Sequence, residues 1–160
     1  METFEISLDQ DGKLPRFRRN EKPCWDKYGI YAIKHQGQVV RVGESSSGFE
    51  RIAKGFKQKL RHIRSGKERK NYLAYSWRKD YASQLLVLEY FPLPENPFSE
   101  AHLRRALEAE VTFQFRIAHR QWPRNMSEIH FLERYRTCGT LVAKATEILR
   151  VYGCTYDAAV

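Results

Sequence analysis

The chain has 160 residues, 42% hydrophobic and 13% aromatic, which suits one folded domain with its own core and argues against a disordered polymer. Twenty-eight Lys and Arg against 19 Asp and Glu leave a formal charge of +9, so the expected partner is a polyanion, nucleic acid before an acidic membrane. Cys24, Cys138 and Cys154 form no CxxC pair, METFEISLDQDGKLPRF lacks the apolar core of a signal peptide, and no apolar run approaches spanning length. A zinc knuckle, a disulfide framework and a membrane partner are therefore not expected, and a reducing cytoplasm is the expected compartment.

Residues 1–27 are polar and basic, broken by Pro15 and Pro23, and are expected to form an N-terminal basic arm. Tyr28 to Ile33 has the composition of a strand, HQGQ (35–38) that of a hairpin turn through Gly37, and Val39, Val40 and Val42 that of a second strand ended by Gly43. Residues 45–66 predict a helix. A serine supplies its N-cap, Phe49, Ile52, Ala53, Phe56 and Leu60 recur at helical spacing, and Gly55 weakens its middle.

NYLAYSW (71–77) and QLLVLEYF (84–91) are further strands, the second apolar enough to lie centrally. PLPENPFSE (92–100) is a loop whose Ser99 caps a helix from Glu100 to about His119, with Leu103, Leu107, Val111 and Phe115 on its apolar stripe; QWPRN (121–125) stops it. EIHF (128–131) is a short extended piece, and 132–153 a last helix or two pieces broken near Gly139. The order β-β-α-β-β-α-α predicts an α+β fold: a small mixed or antiparallel sheet flanked by helices, over 28–131, with a C-terminal helical extension (132–160) packed on the same domain.

Gly29-Ile30-Tyr31 on one strand and Arg41-Val42-Gly43 on the next, then Gly43-Glu44-Ser45, Arg51 eight positions after Gly43, Leu107-Glu108-Ala109-Glu110-Val111, and Trp122-Pro123-Arg124-Asn125 follow one another in order. Across 28–125 the chain thereby resembles the GIY-YIG endonuclease superfamily. The resemblance implies a compact sheet with flanking helices, one divalent metal (Mg²⁺ or Mn²⁺), and hydrolysis of phosphodiesters in DNA, double-stranded DNA being the expected substrate. It also carries a departure: Arg41 stands where the second signature tyrosine would be, and arginine is no general base at ordinary pH.

The residue types fit that chemistry. A carboxylate at Glu108 or Glu110 can hold magnesium, the local pattern favouring Glu108. Arg51 presents a fork to phosphate oxygens, with Arg41 beside it, and Tyr31 can relay a proton of the attacking water. The resemblance gives Asn125 a supporting role. Each has an ordinary alternative: Tyr31 as a core aromatic, the glutamates as helix surface, Asn125 as turn chemistry after proline. His119 and His130 are ambiguous in the same way.

Ser45, Lys54, Lys57, Arg61, His62, Arg64 and Lys67 are the expected nucleic-acid contacts, with Tyr72, Tyr75 and Trp77 available to stack on bases. Two other functions remain open: a catalytically impaired nucleic-acid-binding module of the same fold, and a nuclease for structured RNA. A double-strand cutter needs two sites, hence a homodimer or sequential nicks.

Overall fold

The computed structural model describes residues 2–7, 28–48, 61, 65–66, 80–81, 84–124, 126 and 138–154. ETFEIS alternates apolar and polar residues and forms β1 (Glu2–Ser7), with Phe4 and Ile6 buried and Thr3 and Glu5 exposed. This corrects the expectation of an arm over all of 1–27. A segment with one apolar face at period two needs a sheet to bury it, and β1 finds one.

The next hairpin follows the sequence closely. β2 (Gly29–His35) turns into β3 (Gln38–Ser45) through Gln36 and Gly37, whose φ values of 50° and 81° give the positive-φ pair that matches strand twist. β3 does not stop at Gly43: Glu44 and Ser45 stay in register with Ile30 and Gly29. β4 (Leu85–Pro92) pairs antiparallel with β1 on one side and β2 on the other, giving the order β1-β4-β2-β3. The apolar β4 is thus central, as expected, and the sheet is antiparallel throughout the described strands.

Among the described residues three helices follow: the short α1 (Glu95–Phe98), α2 (Ala101–His119) and α3 (Gly139–Val151). α2 has no side-chain cap. Glu100 is its N-cap residue, and Ser99, expected to cap it, instead closes α1 and offers its carbonyl to Arg104. Arg120 adopts a left-handed φ of 53° and ends α2 just ahead of Trp122-Pro123. The third helix is the expected C-terminal one, beginning at Gly139.

Leu107, Val111 and Phe115 of α2 and Leu141, Ala145 and Ile148 of α3 join Ile30, Ala32 and Val42 of the sheet in one buried cluster. By strand alternation the other face carries Phe4, Ile6, Ile33, Leu86, Leu88 and Tyr90, also buried. The fold is therefore α+β, and among the described residues no helix is long and apolar enough to cross a membrane. Of the expected helix over 45–66, Ser45–Gly48, Arg61, Ser65 and Gly66 are described. Ser65 N–H bonds the Arg61 carbonyl at 3.0 Å and Gly66 has φ 65°, which suits a helix end there. The expected strand 71–77, the piece 128–131 and residues 132–137 lie outside the described residues.

Candidate active site

Register places Gly29-Ile30-Tyr31 and Arg41-Val42-Gly43 face to face. Tyr31 pairs with Gly43 across β2 and β3, and a Cβ built on Gly43 would overlap the Tyr31 ring and hydroxyl. The glycine is thus required by the tyrosine: its missing side chain is the space in which the ring lies. The same device recurs one strand over, where Tyr90 covers Gly29. Tyr31 stays partly exposed while Tyr90 is buried. Arg41 pairs with Ile33, two positions along from the Tyr31–Gly43 pair, and so shares that face of the sheet.

β3 is an outer strand of the described sheet, and α2 lies against it. Arg104 of α2 is buried. Its Nε donates to Glu44 Oε2 at 3.0 Å, its Nη1 donates to the carbonyls of Phe98 at 2.6 Å and Ser99 at 2.8 Å, and its guanidinium stacks 4.7 Å from the Tyr28 ring centroid. A buried arginine with this many partners locks α2 to the end of β3 and fixes the Glu44 carboxylate beside Gly43.

One turn further along α2, Glu108 points into the same charged region. Burial pushes its carboxyl up to about 7; the Arg41 guanidinium opposes that rise, the Glu44 carboxylate adds to it, and Arg105 opposes it. Arg41 and Glu44 of β3 thus act on Glu108 from the strand edge, while Tyr31 and Arg41 share the face of the sheet opposite the one that carries Glu44 and packs on α2. The backbone N–H of Val42 on this strand donates to Met126 Sδ at 3.1 Å, and Met126 N–H bonds the Pro123 carbonyl at 2.9 Å, which brings the Trp-Pro-Arg segment to the same edge.

Glu110 goes elsewhere. It is buried and accepts a 2.8 Å hydrogen bond from Gln114 Nε2, within a network that reaches α3. Ser45, expected as a nucleic-acid contact, is also inward: it is fully buried, its hydroxyl donates to the Gly48 carbonyl at 2.7 Å and accepts from Ser47 N–H at 3.4 Å, so it builds the turn after β3. Arg61 is exposed. Arg51, Asn125, Lys54, Lys57, His62, Arg64 and Lys67 lie outside the described residues.

Glu44 and Arg104 are the site residues that the sequence reading missed. A signal was present: Arg104 and Glu108, four apart, flank the stripe Leu103, Leu107, Val111, where charged groups border the core. Among the described residues no three His, Cys, Asp or Glu gather as a metal group. Magnesium asks for less, one or two carboxylates plus waters, and Glu108 with Glu44 in electrostatic reach fits that donor set. Comparison of the chain with protein-family models, with curated proteins and with solved structures gives no match.

Proposed function

We propose that the protein is a divalent-metal-dependent DNA endonuclease of the GIY-YIG type. The observation that supports this reading best is the Glu108 carboxyl, raised by burial within electrostatic reach of Arg41 and Glu44 of β3, the strand whose Gly43 pairs with Tyr31. The order of motifs supplies the rest.

In this reading Glu108 holds Mg²⁺ or Mn²⁺, with Glu44 as its neighbour, and the bound ion supplies Lewis acidity at the scissile phosphate. Tyr31 orients the attacking water through its hydroxyl and relays its proton. Arg41 takes a non-bridging phosphate oxygen, which suits a residue that cannot act as a base but carries a permanent fork of donors. Arg51 is the second phosphate clamp and Asn125 a support, both as the family resemblance implies. Arg104 acts at one remove, fixing the position of the Glu44 carboxylate through its 3.0 Å hydrogen bond. The surplus of positive charge carries backbone affinity, which falls steeply with salt.

The test is nicking of supercoiled plasmid in Mg²⁺ or Mn²⁺ by wild type and Glu108→Gln. Metal-dependent nicking lost in the variant supports the reading, and intact plasmid under both metals overturns it. A second reading, a binding module without catalysis, draws on Arg41 in the tyrosine position. Salt-sensitive DNA binding with no cleavage favours it, and the same pair of assays on structured RNA tests the RNA alternative.

A further inference from the structure

At the hairpin end of β2 and β3 lies a cavity of about 320 Å³ whose lining includes none of Tyr31, Arg41, Glu44 or Glu108. Four of its walls are rings: Phe115, His119, Trp122 and Tyr152. They are held in place before any ligand arrives. Phe115 and His119 stack with centroids 4.3 Å apart at 34°, and His119 Nε2 sits 3.3 Å from Cys154 Sγ. Tyr152 hydroxyl donates to the Ile30 carbonyl at 2.9 Å, and the Arg116 guanidinium lies 4.5 Å from the Trp122 centroid. Fixed rings lose little freedom on binding, which favours a flat aromatic guest.

Polar surface outweighs apolar surface in the lining, with Gln38, His119, Gln121 and Arg124 among its polar side chains, so a guest must also offer groups that hydrogen-bond. α2 ends at His119 and α3 at Val151, so two helix C-termini approach the cavity. Their partial negative charge disfavours an anion inside. Arg116, beside Trp122, and Arg124 favour one outside it. The volume is at the small end of ligand pockets, room for one base with its sugar and too little for a duplex segment.

We propose that this cavity takes a single unpaired nucleotide, its base against the ring walls and its phosphate beside Arg116 and Arg124. The inference rests on the nucleic-acid reading above for its strand-borne form, while its chemistry equally suits a free nucleotide. Stacking of bases on aromatic side chains is tolerant of sequence, so the cavity would recognise that a nucleotide is unpaired, not which one it is.

The experiment uses the full chain in EDTA, with Glu108→Gln beside wild type, so that binding is read without cleavage. Fluorescence anisotropy compares a duplex bearing a one-nucleotide bulge with the same duplex fully paired, and calorimetry measures adenosine monophosphate. The expected result is at least tenfold tighter binding of the bulged duplex, in wild type and Glu108→Gln alike. Trp122→Ala and Gln38→Trp, the latter placing bulk at the cavity mouth from an exposed hairpin position, should both erase the preference. Retained melting temperatures show that the variants fold.

Adenosine monophosphate binding that both variants abolish, without a bulge preference, supports the same ligand chemistry from a free source. The proposal is overturned if neither probe binds selectively, or if selectivity survives both variants. Failure of all duplex binding at low salt would sink the nucleic-acid reading itself, whereas equal binding of bulged and paired duplexes, with no nucleotide binding, sinks only this inference.

Discussion

The two faces of α2 handle a glutamate in opposite ways. Glu110, toward α3, sits in a closed network: it accepts from Gln114, which also donates to the Val142 carbonyl at 3.1 Å and accepts from Thr146 Oγ1 at 3.0 Å. Glu108, toward β3, faces Arg41, Glu44 and Arg105 in a setting that pushes its carboxyl up to about 7. Two residues along a helix are about 200° around its axis, so one carboxyl can be built into the core while the other stays electrostatically incomplete. The lesson is that polar groups which satisfy one another contribute to stability, while a desolvated carboxyl whose proton is half lost near neutrality is poised for a cation.

The largest effect that tests this contrast is on cleavage. Glu108→Gln should lower plasmid nicking by about 10²- to 10³-fold, the usual loss for one electrostatic stabiliser, while Glu110→Gln should leave it within about threefold. Glu110→Gln should instead lower stability by about 1 kcal/mol, read by urea unfolding, because Gln114 loses a charged acceptor. Reversed results would exchange the roles of the two faces.

Next come the strands. Gly43→Ala should destabilise by about 1–3 kcal/mol and displace the Tyr31 ring, since the added methyl has no space. Tyr31→Phe should keep the melting temperature within a degree or two and still lower nicking at least about tenfold, separating the hydroxyl from the ring.

Stability should also depend on pH with a definite sign. The native Glu108 carboxyl holds its proton up to about 7, against 4.5 in the unfolded chain, so the native state holds more protons across that window. Stability therefore falls as pH rises from 4.5 through 7, by on the order of 2 kcal/mol once its partial exposure to solvent is allowed for. Glu108→Gln should flatten that slope, and Mg²⁺ at pH 8 should raise the melting temperature of wild type but not of the variant. The smallest effect is a shift in the pH profile: Arg41→Ala, besides losing a phosphate contact, removes the guanidinium that opposes the Glu108 rise, so the acid limb of the residual nicking should move up by under about one pH unit, with Arg41→Lys restoring part of it.

Much of this was legible in the chain. The β-branched run at Val39, Val40 and Val42, the Gln36-Gly37 turn and the apolar QLLVLEYF each carry their local preference openly, and the structure forms them. The α2 stripe from Leu103 to Phe115 did the same. β1 was hidden because Glu2 and Glu5 dilute its apolar half and a basic tract follows it; only pairing with β4 makes the alternation pay. Ser45 was misjudged because a serine after a strand can face outward or close a turn, and the choice depends on the backbone around Gly48.

Sequence by itself determined that Tyr31 and Gly43 would lie on neighbouring strands, that α2 would present its glutamates beside an apolar stripe, and that the chain would carry a formal charge of +9. Tertiary structure decided which glutamate faces the strand edge, and it created the Arg104–Glu44 pair from residues 60 apart in the chain. The physical reason is one of range. Side-chain periodicity and turn preference act over a few residues and are written locally, whereas desolvation and charge pairing depend on what the folded chain brings within a few ångströms, and no short stretch of sequence records that.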